Sequence, residues 1–439
     1  MASQLSRLMA AALALFVVLA GGSAPSAPAA AAGRPLLVSP SDGGDHYAPD
    51  VAALPDGGAV VVWQAAGGPL VGSEIMARRL DPDGAPRGLP FLVNRRTAGQ
   101  QRQPAVAVRA GGGFVVVWAT GNRTVWARRF DADGAPLDQD DLPVSGDGAD
   151  GVSHYDPDVA ALPGGGFVVA WETSSLDGGG ILLRRFGPSG APAGAAQAPY
   201  QGGAPAFRAN PAIAAAADGA VALAWEEAAP TFDSFAILIS RYSAAGAPTA
   251  VARPVAASDD ELRDPALALD AAGVASVAWT ALPGGSPAAS WVQLRRLDPS
   301  GAPLGPPASI AAADPAERGR LSGPALATGP WGAVAAWPDR TTLQDGTLVG
   351  LAARSLSPAG APTGGERYPR LPAPAGEVAV VAAAATEEGA WLVWSEDVIT
   401  EGADNLSAVY ARRLDPEANV VPPPEGPRPS VYLPLVGRQ

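Results

Sequence analysis

The chain has 439 residues, no cysteine and a formal net charge of −13 at pH 7. This acidic balance disfavours nucleic acid and anionic membrane surfaces as partners, because both are polyanions. The absence of cysteine excludes disulfides, a thiol nucleophile and a lipid anchor on cysteine.

The first 32 residues have the pattern of a secretory signal peptide. Arg7 precedes an apolar run from Leu8 to Ala20, and small residues with Ala-x-Ala patterns follow it. No apolar run in the chain reaches the roughly 18 residues that a transmembrane helix needs. We therefore expect residues 1–32 to be a signal peptide, and the mature chain to be secreted or held at the cell surface without an integral membrane segment.

A unit of about 55 residues recurs along the rest of the chain. Its clearest copy runs from Pro49 to Trp63 and continues from Met76 to Pro86. Each copy has a marker tryptophan followed by an arginine-bearing segment, and the seven markers are Trp63, Trp118, Trp171, Trp225, Trp279, Trp337 and Trp394. Seven degenerate copies at a regular period indicate a repeat architecture.

Each copy reads as four short strands. In the first copy they are Val51–Leu54, Ala59–Trp63, Ile75–Leu80 and Leu89–Asn94, separated by turns rich in Gly, Pro and Asp. The second strand is apolar without alternation, which indicates a sheet covered on both faces. Radially packed blades provide that cover, so we predict an all-β fold, a seven-bladed β-propeller of four-stranded antiparallel blades. In that fold we interpret the tryptophans as packing between blades and the arginines as bonding turn carbonyls.

The N-terminal strand is predicted to close the ring. Six fourth-strand segments lie between copies, of which Ala196–Tyr200 is the weakest, and the seventh is Pro35–Ser39, before the first copy. This strand should complete the last blade and remove the open edge of the ring. The propeller domain is thus expected to span residues 33–421, and a proline-rich linker with a short apolar tail to occupy residues 422–439.

The repeat resembles a family of secreted bacterial repeats found in large adhesin-like and calcium-binding exoproteins. The family pattern is roughly Pro-x-Val-Ala-x-Leu-x-Asp-Gly-Gly-Phe-Val-Val-x-Trp, then Arg-x-Asp-x-x-Gly-x-Pro, then Phe-x-Val-Asn. It is matched best at Pro49–Trp63, Arg79–Pro86 and Phe91–Asn94. The resemblance implies a secreted, propeller-like surface or interaction module and brings no catalytic residues.

One face of the predicted propeller is acidic. It collects the loops from fourth to first strands and from second to third strands, with many carboxylates, Glu172 and Glu226 among them. The only two histidines lie there, so the candidate ligand-binding residues are His46, Tyr47, His154 and Tyr155. No cofactor is expected unless clustered carboxylates hold calcium, for which the candidate ligands are Asp45, Asp50, Asp156 and Asp158. The alternative is that these loops are simply solvated.

Two functions remain open at this point. The first is a non-enzymatic, monomeric binding module that recognises an unknown protein or glycan through the acidic loop face. The alternative is an extracellular carbohydrate-active hydrolase or lyase that uses carboxylates on the same face. A deep pocket that gathers the histidines, the tyrosines and several carboxylates would favour the enzyme, whereas a shallow face would favour the binding module.

Overall fold

The computed structural model describes residues 35–67, 70, 72–121, 123–146, 151–175, 178–200, 206–285, 290–312, 321, 323–343, 346–374, 378–398 and 406–421. The predicted signal peptide and the predicted tail lie outside these residues. The regular structure within them is β-strand, with two single-turn 3-10 helices at Pro163–Gly165 and Pro283–Gly285. In this part of the chain no helix has the length and apolar character needed to cross a membrane.

The strands fall into seven antiparallel sheets, which are the blades of a propeller. In chain order they are β1 (Leu36–Leu37), which belongs to blade 7; β2 (Gly44–Ala53), β3 (Ala59–Gly67), β4 (Ser73–Leu80) and β5 (Pro86–Leu92) in blade 1; β6 (Gln101–Val108), β7 (Phe114–Thr120), β8 (Val125–Phe130) and β9 (Leu142–Pro143) in blade 2; β10 (Ser153–Ala161), β11 (Phe167–Ser175) and β12 (Gly178–Phe186) in blade 3; β13 (Phe207–Ala215), β14 (Val221–Ala228), β15 (Phe235–Tyr242) and β16 (Pro248–Ser258) in blade 4; β17 (Glu261–Leu269), β18 (Ala275–Leu282), β19 (Trp291–Leu297) and β20 (Ala308–Ala312) in blade 5; β21 (Ala325–Gly329), β22 (Gly332–Leu343), β23 (Gly346–Leu356) and β24 (Arg367–Pro374) in blade 6; and β25 (Val378–Thr386), β26 (Gly389–Val398) and β27 (Leu406–Leu414) in blade 7.

The prediction of a seven-bladed propeller is confirmed, with one difference in blade 3. Six sheets have four strands, whereas blade 3 has three among the described residues. Its fourth position holds only an isolated bridge between Leu183 and Gln197, whose two backbone hydrogen bonds are each 2.8 Å long. The segment Ala196–Tyr200 is rich in alanine and contains Pro199, and both residue types are poor strand formers.

The N-terminal strand closes the ring, as predicted. Leu36 and Leu37 of β1 pair antiparallel with Ala411 and Tyr410 of β27, so strands from both ends of the described chain share blade 7. Val38 then donates its N–H to the carbonyl of Val409 at 2.8 Å, and its side chain is fully buried.

The core consists of one apolar cluster at each interface between neighbouring blades. The second strands supply its centre, and Val60, Val61, Val62 and Trp63 of β3 are all fully buried. All seven marker tryptophans are at most 1% exposed, and each packs into the cluster shared with the preceding blade. The interpretation of the tryptophans as packing residues is therefore confirmed.

Arginine side chains tie each blade to its neighbours. In blade 1, Arg78 donates to the carbonyl of Val38 in blade 7 at 2.9 Å, and Arg79 donates to the carbonyl of Ala132 in a turn of blade 2 at 2.6 Å. The residues equivalent to Arg78 that also donate to a preceding blade are Arg128, Arg184, Arg295 and Arg354. Adjacent arginines point to opposite faces of a strand, so one pair reaches both neighbours.

The first strands contain a repeated bulge that the sequence reading placed in loops. In blade 1 the strand begins at Gly44 rather than Val51 and passes through Pro49 by means of a register shift between Tyr47 and Asp50. The residue before each bulge proline has a φ between +44° and +54°, and these residues are Ala48, Gln103, Asp156, Asn210, Asp264 and Gly323. Successive first strands contact one another around the ring. In blades 3 to 6 the N–H of the residue before the proline donates to a side chain of the preceding blade, and these residues are Asp156, Asn210, Asp264 and Gly323.

Candidate functional site

Two glutamates occupy the acceptor position for these bulge N–H groups. Glu172 follows Trp171 in blade 3 and accepts the N–H of Asn210 in blade 4 at 3.4 Å. Glu226 follows Trp225 in blade 4 and accepts the N–H of Asp264 in blade 5 at 2.8 Å. The bulge thus hydrogen-bonds a carboxylate of the second strand in two neighbouring blades, and both glutamates lie within β11 and β14 rather than in the predicted loops.

Asn210 joins the two glutamates. Its backbone N–H donates to Glu172, and its side chain hydrogen-bonds Glu226. An asparagine tolerates the φ of +51° found here better than most side chains do. The pair of carboxylates is therefore positioned by one residue whose backbone is held by the bulge.

Burial gives Glu172 the character of an acid near neutral pH. Burial raises its pKa from 4.5 to about 7, and the negative charges of Asp156 and Glu226 act in the same direction. Hydrogen bonds from Tyr155 and Asn210 oppose this shift. The pKa of Tyr155 is itself raised to about 12, first by burial and then by Glu172, so its hydroxyl stays protonated and keeps donating.

Glu226 lies in a related but different environment. Burial raises its pKa, and the charge of Asp264 adds to that shift. Hydrogen bonds from the Asn210 side chain and the Asp264 backbone lower the pKa because they stabilise the carboxylate form. Both carboxyl groups thus have raised pKa values, and each accepts a backbone N–H of the next blade.

Both glutamates line a cavity of about 780 Å³ formed by blades 3, 4 and 5. It opens where the loops after second strands meet the beginnings of first strands, which is the face predicted to be functional. The polar and aromatic lining residues include Tyr155, Glu172 and Ser174 from blade 3; Phe207, Arg208, Glu226, Glu227, Phe232 and Phe235 from blade 4; and Asp259, Glu261 and Arg263 from blade 5. Its size falls within the range of small-molecule sites.

The two histidines that were predicted to bind a ligand lie inside blades. His46 and His154 are 2% and 4% exposed. Nδ1 of His46 accepts the indole N–H of Trp63 at 3.2 Å, and Nδ1 of His154 accepts that of Trp171 at 3.0 Å. Both histidines therefore satisfy buried tryptophans, and this geometry does not favour direct contact with a ligand.

This structural role can be tested at His154. We expect His154→Leu to lower the free energy of unfolding by about 1–3 kcal/mol, because it leaves the buried indole N–H of Trp171 without its acceptor. His154→Gln should cost much less, since Gln101 accepts the indole N–H of Trp118 at 3.1 Å in blade 2. Urea denaturation of both variants measures the difference. Equal losses in the two variants would contradict the assignment.

The two candidate tyrosines, Tyr47 and Tyr155, lie in different parts of the propeller. Tyr155 lies in the cavity beside Glu172. Tyr47 lies in blade 1, where its hydroxyl accepts a hydrogen bond from Gln64 at 2.9 Å, and it is not part of the cavity lining. Of the four candidate ligand-binding residues, only Tyr155 reaches this cavity.

The four candidate calcium ligands engage protein groups. Asp50 accepts the N–H of Val106 in blade 2, and Asp158 accepts the N–H of Ile213 in blade 4, each at 2.7 Å. Asp45 accepts the N–H of Ser407 in blade 7 at 3.1 Å, and Asp156 bonds the side chain of Gln103. No group of three or more histidine, aspartate or glutamate residues suited to a metal ion occurs within the described ranges. Calcium binding stays a prediction.

One position of the repeat differs in the blades that form the cavity, and this difference is visible in the sequence. The residue 17 positions before the marker is His46, Gln101 or His154 in blades 1–3, but Arg208 and Leu262 in blades 4 and 5. Arg208 and Leu262 both line the cavity. Among the described residues, the indole nitrogens of Trp225 and Trp279 correspondingly have no hydrogen-bond partner. The indole nitrogen of Trp337 in blade 6, outside the cavity lining, also has no partner among these residues, so the divergent residues rather than the unpaired nitrogens mark the cavity.

Neither a protein-family model nor a curated protein matches the sequence. Among solved structures, a protein of unknown function from Dyadobacter fermentans is similar to 87% of this chain over 98% of its own, at 11% identity and a TM-score of 0.50. The polysaccharide lyase Uly1 is similar to 84% of this chain over 89% of its own, at 8% identity and a TM-score of 0.50. At these identities the likeness shows a shared fold.

Proposed function

We propose that the chain is an extracellular carbohydrate-active enzyme that cleaves glycosidic bonds in the cavity of blades 3, 4 and 5. Glu172 serves as the proton donor and Glu226 as the second carboxylate. One observation carries this proposal: two glutamates of neighbouring blades are joined through Asn210 and line the same cavity. The likeness to Uly1 adds only that a propeller of this kind carries a polysaccharide-cleaving site in another protein.

The two carboxyl groups have the properties that hydrolysis requires. A protonated acid must give its proton to the glycosidic oxygen as the C–O bond breaks, and Glu172, with a pKa of about 7, holds that proton near neutral pH. A water oxygen then bonds to the anomeric carbon, and the proton that water loses passes to the Glu226 carboxylate. A lyase would use the same pair differently, since it removes the proton next to a uronate carboxylate and protonates the leaving oxygen.

The proposal predicts that Glu172→Gln abolishes most of the activity and leaves binding intact. We expect glycan cleavage, measured as the release of new reducing ends, to fall by roughly 10²–10⁴-fold, because the amide cannot donate the proton. Activity of the unaltered protein should also decline as the pH rises above about 7, since Glu172 then loses its proton. The surface variant Glu417→Gln, which changes an exposed turn, serves as the control.

Two outcomes would overturn the proposal. A purified protein that cleaves no polysaccharide of a broad panel at any pH is not this enzyme. A Glu172→Gln variant that cleaves as fast as the Glu417→Gln control would exclude the assigned proton donor.

A binding module without catalysis is the second candidate. It is favoured by the stacked phenylalanines Phe207 and Phe232, which are 46% and 57% exposed and line the cavity. Such a surface serves recognition without any proton transfer. Saturable glycan binding with no bond cleavage would select this candidate over the enzyme.

A further inference from the structure

The charges that line the cavity are predominantly negative. Five carboxylate residues face two arginines, and the five are Glu172, Glu226, Glu227, Asp259 and Glu261. Arg208 Nε lies 2.7 Å from a carboxylate oxygen of Glu227, and an Arg263 nitrogen lies 3.3 Å from one of Glu261. Both guanidinium groups are therefore neutralised by carboxylates of the cavity itself. The rest of the chain adds to the negative field, with a net charge of −13.

An exposed aromatic pair lies at the same cavity. The rings of Phe207 and Phe232 stack with centroids 4.8 Å apart and an interplanar angle of 19°. Both are among the exposed large hydrophobic residues of the described chain, which costs free energy in water. A contiguous apolar surface of this kind marks a binding site more often than a chance exposure.

The backbone of Phe232 is strained in a way that keeps its ring exposed. Its φ is +53°, which is unusual for a bulky side chain. The turn is held by hydrogen bonds from Phe232 N–H to the Ala229 carbonyl at 2.9 Å and from Ala229 N–H to the Ser234 carbonyl at 3.0 Å. Strain that persists at a cavity rim and presents an apolar ring to solvent points to a contact made with a ligand.

We infer that the ligand of this cavity is a glycan without carboxylate or sulfate groups, one sugar ring of which stacks on Phe232. This inference rests on the proposed function and restricts its substrate class. A uronate polymer would bring its carboxylates beside those of Glu226, Glu227 and Asp259. The two arginines among the described lining residues already pair with carboxylates of the cavity. A lyase acts by elimination, which requires a uronate substrate. Because the negative charges of the cavity disfavour a uronate, they favour hydrolysis.

The charge requirement is tested with a panel of neutral, amino-bearing, uronate and sulfated polysaccharides, and with polygalacturonate against its fully methyl-esterified form as a matched pair. We expect every polymer that binds to be neutral or amino-bearing. If either member of the matched pair binds, the ester should bind at least tenfold more tightly at low salt, with a smaller difference at high salt. A uronate or sulfated polymer as the tightest ligand would overturn the inference and leave the proposed cleavage activity standing. Binding of no polysaccharide would overturn the proposed function itself.

The aromatic contact is tested with the tightest polymer of that panel. Phe232→Ala should weaken binding by roughly tenfold or more, while Phe232→Trp should retain it. Leu89→Ala, which removes a side chain that is 84% exposed on the outer strand of blade 1, is the matched control for the loss of exposed apolar surface. Equal affinities of the Phe232→Ala and Leu89→Ala variants would overturn the stacking role.

Discussion

A chain that begins at Pro40 should melt at least about 10 °C below one that begins at Gly33. The shorter chain lacks β1 and Val38, which complete blade 7. It loses the burial of Val38, the backbone bonds to β27 and the carbonyl that Arg78 binds. Together these losses amount to on the order of 5 kcal/mol, which corresponds to a shift of this size in the melting temperature. The exposed edge of β27 should also promote self-association.

Point variants test whether the side-chain packing of the N-terminal segment, and not only its backbone pairing, stabilises blade 7. Val38→Ala should lower the free energy of unfolding by roughly 1.5–3 kcal/mol, because the side chain is fully buried between blades 7 and 1. Leu37→Ala, one residue earlier and 37% exposed, should cost far less. Thermal melting and size-exclusion chromatography report both effects. An unchanged melt of the shortened chain would refute closure by the N-terminal strand.

The propeller should be more stable in mild acid than in mild base. Burial raises the pKa of Asp50 from 3.8 to about 7 and that of Asp158 from 3.8 to about 6. A carboxyl group whose pKa is raised by folding stabilises the protein fully below pH 3.8, and this contribution is lost as the pH rises through 6–7. Asp156, Glu172 and Glu226 have raised pKa values as well and act in the same direction.

The size of this effect is limited by partial exposure. At 1.36 kcal/mol per pKa unit, the full shift of Asp50 would be worth about 4 kcal/mol. The side chains of both aspartates are half-buried and therefore partly solvated. We expect each to lower the free energy of unfolding by about 2 kcal/mol between pH 4 and pH 8. Urea denaturation at several pH values measures the profile. Stability that rises steadily from pH 4 to pH 8 would contradict this account.

Asp50→Asn isolates one of these contributions. The amide oxygen can still accept the N–H of Val106, but the variant has no charge to desolvate. We therefore expect it to be more stable than the unaltered protein at pH 8 and nearly unchanged at pH 4. The blades tolerate loss of the carboxylate here, since Ala105 and Ala212 occupy the equivalent positions in blades 2 and 4. Asp83→Asn, in an exposed turn, should leave the profile unchanged.

The fold was predictable because the same sequence pattern of apolar strands, turns and a marker tryptophan recurs in every repeat. The spacing of the marker tryptophans gives the number of blades, and the uninterrupted apolar second strands show that both faces are covered. The position of Pro35–Ser39 before the first copy was enough to predict ring closure, which the pairing of β1 with β27 confirms. What the pattern missed was the continuation of the first strands of blades 1 to 5 through their prolines, because proline normally ends such a strand.

The missed continuation of the first strands explains most of the difference between the predicted and the observed positions of the site residues. His46 and Tyr47 were placed in a loop, but they lie in β2, where alternate side chains point to opposite faces. His46 consequently points into the blade toward Trp63. Glu172 and Glu226 were named only within a long series of acidic loop residues, although each directly follows its marker tryptophan. What joins them is Asn210, which hydrogen-bonds both, precedes Glu226 by 16 residues and follows Glu172 by 38.

The repeated bulge separates the scaffold from the site it carries. Its N–H belongs to the backbone and is donated to the preceding blade by aspartate, asparagine and glycine alike. The residue after the marker tryptophan, which meets this N–H in blades 3 and 4, is free to vary and is alanine in blade 2 and threonine in blade 5. A carboxylate introduced there by a single substitution would be buried, since Ala119 and Thr280 are at most 1% exposed, and would depend on the bulge N–H as its hydrogen-bond donor.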